Sequence, residues 1–294
     1  FSIAEFYGRR IRRIFPALIL VLLVSLGVGF LFMLPDAYRT LGLNTAASAG
    51  FVANIALYLQ QDYFAPSAEL NPLLHIWSLG VEEQFYLVWP LILAVLARRR
   101  AAIPVAIGLT VLSFTGNVVQ TASDPVASFF LPFSRFWELG AGAILALLQA
   151  RAGHSVRGRE WMGWGGLLLL ALAMVAIDRD RAFPGWWALV PVAGSVLLIA
   201  SGEEARANRF FLSHRTLVYI GLISYPLYLW HWPLLVFARI IRFQKEPTIL
   251  MSIGLILAAG VLAHLTFKFV ERPIRLGGRL SIKAVSLAVL LVVG

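Results

Sequence analysis

The chain has 294 residues, 60% of them hydrophobic and 14% charged, with a formal net charge of +10 and no cysteine. A mean hydropathy of +0.80 excludes a water-soluble domain, which would have too little polar surface to cover so apolar an interior, and the missing cysteines exclude disulfides and thiolate chemistry. The basic excess sits in short loops beside apolar runs, so membrane topology accounts for it and no nucleic-acid partner is implied.

Most apolar runs are about 20 residues long, enough to cross a ~30 Å hydrocarbon core as a helix, and no alternating ten-residue pattern suggests a barrel. The expectation is an all-α, polytopic transmembrane bundle whose immediate partner is membrane lipid. Phe1 to Arg13 form an amphipathic lead-in with four arginines at the mouth of a first span, Ile14 to Leu34, which places this end in the cytoplasm. Leu41 to Gln60 carries Asn44, Ser48, Asn54 and Gln60 and reads as a re-entrant or interfacial helix. Spans follow at Trp77 to Ala97, Ile103 to Gln120, Val126 to Leu148, Gly163 to Ile177, Trp186 to Ser201, Thr216 to Phe237 and Thr248 to Val270, giving about eight in all. A further helix begins near Ser281. Residues 1–280 read as one membrane domain and 281–294 as the start of that helix.

The loops alternate in charge. One set carries Arg98 to Arg100, then Arg151, Arg157 and Arg159, then Arg206, Arg209 and Arg215, then Arg272, Arg275, Arg279 and Lys283; the other is mixed or acidic, with Asp124, Asp178 to Arg181, and Lys245 with Glu246. This alternation supports a multi-pass arrangement. The chain opens without an initiator methionine and closes inside an apolar run, so it reads as an excerpt of a longer protein.

Five stretches carry chemistry. Arg10 and Arg13 are three apart and share a helix face, where two guanidinium forks can clamp a phosphate; the alternative is an anchor for lipid headgroups. In N-P-L-L-H-I-W-S-L-G-V-E-E-Q-F-Y-L-V-W-P, His75 and Glu82 are two turns apart and Glu82 and Tyr86 one turn, so a carboxylate can orient an imidazole for general-base work. The alternative is a capping histidine with structural ion pairs. In S-Y-P-L-Y-L-W-H-W-P-L-L, Tyr225, Tyr228 and His231 recur at helical spacing, and Pro226 and Pro233 break the helix where backbone groups can line a cavity; an aromatic belt is the alternative. Arg135 and Glu138 read as a local ion pair, and Gly140 and Gly142 as packing residues. F-V-E-R-P-I-R reads as a structural terminus unless Glu271 points inward. Ser78 lies close to His75 in sequence, which is weak support for a nucleophile and base. There is no metal-ligand spacing.

In order and spacing, F-Y-G-R-R-I-R-R-I-F-P-A-L, H-I-W-S-L-G-V-E-E-Q-F-Y-L-V-W-P, R-F-W-E-L-G-A-G, S-Y-P-L-Y-L-W-H-W-P and V-E-R-P-I-R resemble the bacterial membrane acyltransferase-3 family, which includes O-antigen (lipopolysaccharide) and peptidoglycan O-acetyltransferases. The resemblance implies a ten-helix core in the inner membrane. It implies transfer of an acyl group, acetyl above all, from cytoplasmic acyl-coenzyme A to a hydroxyl of an envelope glycan or lipid-linked saccharide, with no bound cofactor. By position, Arg10 and Arg13 match the family's donor-binding R-x-x-R pair. His75, Trp77, Ser78, Glu82, Gln84, Phe85 and Tyr86 match one motif helix, and Tyr225, Tyr228 and His231 another. The catalytic expectation falls on Glu82, His75, His231 and Ser78, and the substrate-pocket expectation on Trp77, Gln84, Tyr86, Tyr225 and Tyr228. The family's first two spans, with an arginine and a histidine central to catalysis, would precede Phe1, so this stretch alone is expected to be inactive. An extracytoplasmic SGNH-type domain would follow the last helix. A saccharide permease and a structural membrane scaffold are the rival readings; a permease predicts inverted repeats, and none is found.

Overall fold

The computed structural model describes residues 2–60, 70–96, 101–152, 160–178, 181–242 and 247–276, and these contain helices, turns and irregular segments without a strand. In chain order the helices are α1 (Ile3–Phe32), α2 (Pro35–Ala49), α3 (Ala53–Leu59), α4 (Trp77–Leu96), α5 (Ala102–Ser123), α6 (Pro125–Phe130), α7 (Pro132–Ala152), α8 (Glu160–Ala176), α9 (Leu189–Ser201), α10 (Arg215–Ile241), α11 (Ile249–Thr266) and α12 (Arg272–Leu276). The helix expected from Ser281 lies outside the described residues. So do Arg98, Arg99, Arg100, Arg157, Arg159, Lys245, Glu246, Arg279 and Lys283, on which part of the charge alternation rests.

Among the described residues, six helical stretches are long and apolar enough to cross a membrane: Ile3–Phe32, Leu74–Leu96, Ala102–Ser123, Pro125–Ala152, Arg215–Ile241 and Ile249–Arg275. The expected count of eight is therefore not reached on length. The two remaining candidates, α8 and α9, have 17 and 13 residues, about 26 and 20 Å at 1.5 Å per residue, against the ~30 Å of hydrocarbon. The segment expected to be re-entrant or interfacial is α2 and α3, of 15 and 7 residues, each too short to span.

The chain falls into two compact units, one formed by Phe1–Gly80 with Tyr219–Gly294 and the other by Val81–Val218. In the first, Leu18, Val21 and Leu22 of α1 pack with Leu41, Leu73, Ile76 and Leu229 in a continuous core. Hydrocarbon is as apolar as leucine, so hydrophobicity alone does not hold helices together there; close packing and interhelical hydrogen bonds do. Two such bonds tie α10 into this unit. The Tyr225 hydroxyl donates to the Ile14 carbonyl at 2.9 Å and the Trp230 indole N–H to Thr266 Oγ1 at 2.9 Å.

Pro226 and Pro233 do not break α10, which runs unbroken through both. Prolines are tolerated in such helices because neighbouring groups take over the freed carbonyls.

The second unit holds α5 to α9 and the part of α4 from Val81 onward. α5 is joined to α6 and α7 by buried hydroxyls: Thr121 and Ser128 are 2.7 Å apart, and the Trp137 backbone N–H donates to Ser113 Oγ at 2.9 Å. Gly140 lets α7 close on α5, because a side chain there would strike Thr110, whereas Gly142 has nothing within 4 Å. Of these two, Gly140 is the close-approach residue.

Candidate functional site

The loop before α4 fixes the candidate site. Asn71 Oδ1 accepts the Leu73 backbone N–H at 3.0 Å, a side-chain turn of the kind asparagine favours, and the Asn71 carbonyl accepts the Trp232 indole N–H from α10 at 2.9 Å. This pins a single 3₁₀ turn, Leu74–Ile76, in front of α4. His75 sits on that turn. Gly80, one turn into α4, lets the helix approach Asn54: a Cβ there would lie 2.9 Å from Asn54 Oδ1 and 3.2 Å from the Phe51 carbonyl.

His75 is 8% exposed, and neither ring nitrogen has a hydrogen-bond partner of good geometry. The polar group that interacts with the ring is the Leu229 backbone. Leu229 is four residues before Pro233, so its carbonyl is the one that the missing proline N–H leaves without a helical donor. A buried imidazole with only this one loosely placed polar neighbour costs stability.

Around His75 stand three groups of the sequence expectation. The Tyr228 hydroxyl donates to the His75 carbonyl. It lies 2.9 Å from Ser78 Oγ, and with its own proton on the carbonyl, Ser78 is the donor of that pair. The His231 ring centre is 5.4 Å from that of His75, edge to face, and the Tyr228 ring 5.0 Å. His231 Nδ1 is 2.6 Å from the Tyr228 carbonyl. A carbonyl only accepts, so Nδ1 carries the proton and a neutral His231 keeps Nε2 as its acceptor. Ser78 is therefore engaged by a tyrosine and not by an imidazole, and the arrangement is not a serine–histidine nucleophile pair.

The other expected residues are distributed as follows. Tyr225 lies one turn from Tyr228 on α10 and reaches α1 at Ile14, the neighbour of Arg13. Arg10 is half-buried and Arg13 exposed, both on α1, while Arg9 is occupied by a salt bridge to Glu5. Trp77 is half-buried at the start of α4. Glu82, Gln84 and Tyr86, half-buried, and Phe85, buried, lie on the part of α4 that belongs to the second unit. In that unit Arg135 Nη1 and Glu138 Oε1 form the expected ion pair at 2.9 Å, with the guanidinium also over the Phe129 and Phe183 rings. Among the described residues, no three histidine, aspartate or glutamate side chains gather into a set that could hold a metal ion. Trp232 lies inside the second motif and Asn54 is one of the polar marks of the re-entrant segment, yet their contacts with the His75 loop and α4 leave no periodic signal in the sequence.

The acyltransferase-3 family model, described as an acyltransferase domain, matches residues 1–267. The chain is 29% identical over 293 residues to the O-acetyltransferase OatA of Staphylococcus aureus (strain NCTC 8325 / PS 47), covering 94% of this chain and 48% of that protein. It is 27% identical over 293 residues to the peptidoglycan O-acetyltransferase OatA of Listeria monocytogenes serovar 1/2a, covering 94% of this chain and 47% of that one. The chain thus spans about half the length of the curated relatives it matches. No solved structure matches it.

Proposed function

Because the chain belongs to the acyltransferase-3 family, we propose that it is the membrane part of an O-acyltransferase that moves an acyl group, acetyl in the first instance, from cytoplasmic acyl-coenzyme A to a hydroxyl of an envelope glycan. The relatives' names favour peptidoglycan as that glycan. In the net reaction the thioester C–S bond breaks, an ester C–O bond forms at the acceptor oxygen, the hydroxyl loses its proton, and coenzyme A leaves as the thiol. The observation that carries this reading is buried His75, with neither ring nitrogen in a hydrogen bond of good geometry, beside Tyr228, Ser78 and His231.

In this proposal His75 and His231 handle the acceptor proton, His231 through its free Nε2. Tyr228 and Ser78 hold the His75 turn in place. Trp77 and Tyr225 contribute to substrate binding in the first unit, and Gln84 and Tyr86 are the candidates for it in the second. Glu82, on the α4 portion of the second unit, is the candidate for orientation or charge support in the reaction. Arg10 and Arg13 hold the donor phosphates, for which the guanidinium fork is suited. The family match does not favour a saccharide permease.

The test is heat protection of the intact protein by acetyl-coenzyme A. At a hundredfold excess over Kd, a ligand of the folded state adds about 2.7 kcal/mol, which appears as a higher unfolding temperature. The protection should vanish when Arg10 and Arg13 are both changed to alanine. Acetyl-coenzyme A without effect on the wild-type protein, or full acyl transfer by the double variant, would sink the donor assignment.

A further inference from the structure

The carboxylate of Glu271 lies outside the histidine cluster, and nothing proposed above uses it. It does point inward: Glu271 is 2% exposed, while Phe269 two residues earlier is 64% exposed. Between α11 and α12 the chain makes one widened π turn, Phe267–Glu271. Such a turn inserts a residue into the helix and rotates the faces that follow, and these turns gather at functional sites. Both the π turn and α12 pack on α1.

There Glu271 pairs with one cation, and a second, on another helix, lies within range of its charge. Arg275 Nη1 of α12 is 3.6 Å from Glu271 Oε1, and Arg13 of α1 is near enough to interact with the same carboxylate through its charge. Glu271 Oε2 makes no hydrogen bond. A helix terminus alone would need one arginine at most, and two guanidinium groups beside one another repel unless a carboxylate offsets them. The Arg275 side chain is 51% exposed and Arg13 is exposed as well. Each has five N–H donors, of which one carboxylate can engage only part. The rest remain available to an anion.

Resting on the donor-site reading of Arg10 and Arg13, we infer that Arg275 is a third arginine of the same phosphate-binding site and that Glu271 is the positioning residue that sets Arg13 and Arg275 side by side. The ligand class is a multiply phosphorylated donor, acyl-coenzyme A, whose pyrophosphate and separate ribose phosphate carry more negative charge than one R-x-x-R pair neutralises. An anionic lipid headgroup presents similar chemistry with a single phosphate.

The experiment titrates acetyl-coenzyme A into the full-length protein in neutral detergent, by calorimetry, for the wild type, Arg275→Ala, Glu271→Gln and the Arg10→Ala/Arg13→Ala pair, and repeats each titration with anionic phospholipid added. Arg275→Ala is expected to weaken binding about tenfold or more, the scale of one charge-assisted contact. Glu271→Gln separates positioning from simple charge by its sign. Removing a negative charge beside an anion site tightens binding, whereas loss of the positioning group weakens it, and a several-fold weakening is expected. Arg275→Ala with wild-type affinity overturns the inference, and leaves the donor reading intact if the Arg10/Arg13 pair still weakens binding. If that pair has no effect either, both fall. Sensitivity of Arg275→Ala to anionic lipid alone assigns the arginine to a headgroup and overturns it too. Arg275→Ala leaves the buried Glu271 carboxylate without its paired cation, so Arg275→Lys, which keeps the charge and loses the fork, carries the test with the same expected weakening if the alanine variant does not accumulate.

Discussion

The Tyr228 hydroxyl donates to the backbone carbonyl of His75 across 153 residues of sequence, and that bond joins the two motif helices that carry the candidate chemistry. It acts on the main chain of the turn and not on the imidazole, so Tyr228 fixes where His75 sits while leaving its ring nitrogens unpartnered.

Tyr228→Phe removes this bond and the one with Ser78 Oγ, leaving a buried carbonyl and a hydroxyl without their partner. The expected cost is about 1–3 kcal/mol of stability, read as a lower unfolding temperature of the purified full-length protein, with a parallel loss of acyl transfer. Unchanged stability would show that the hydrogen bond contributes nothing.

His75→Phe behaves in the opposite sense. The ring of phenylalanine fills similar space and removes two unsatisfied buried nitrogens, which is neutral or stabilising when the replacement fits. The variant should fold at least as well as the wild type and lose glycan acetylation, measured as ester-linked acetate on cell-wall glycan. A stable variant that still acetylates would remove His75 from the proposed chemistry.

Gly80→Ala places a methyl group 2.9 Å from Asn54 Oδ1 and 3.2 Å from the Phe51 carbonyl. Asn54 is wholly buried and cannot swing into open space, so an overpacking cost of about 1–3 kcal/mol is expected. Gly142→Ala, with nothing within 4 Å, is the matched control and should be silent in the same melting experiment.

Glu82→Gln tests the carboxylate. If the Glu82 carboxylate takes part in the reaction, turnover should fall about tenfold to a hundredfold with the amount of folded protein unchanged. A silent variant would favour a purely structural part for this helix.

The sequence by itself determined the class and the family of this protein. Membrane-bundle character follows from length and hydropathy, which are summed along each helix and need no partner to be read. The order of the motifs, from Arg10 and Arg13 to Arg275, is likewise a property of the chain. Helical spacing correctly placed Tyr225 and Tyr228 one turn apart and paired Arg135 with Glu138, because neighbours within a helix are set by its pitch.

Contacts between helices were decided only by the tertiary structure. Nothing in the sequence says that Tyr228 reaches the His75 carbonyl, that Tyr225 reaches Ile14, or that Glu271 turns inward to pair with Arg275. Nor does it say that two apolar runs form helices of only 17 and 13 residues. The physical reason is that hydropathy does not distinguish a face that meets lipid from one that meets another apolar helix. Close packing and single hydrogen bonds make that choice, and their donors and acceptors come from residues far apart in the chain.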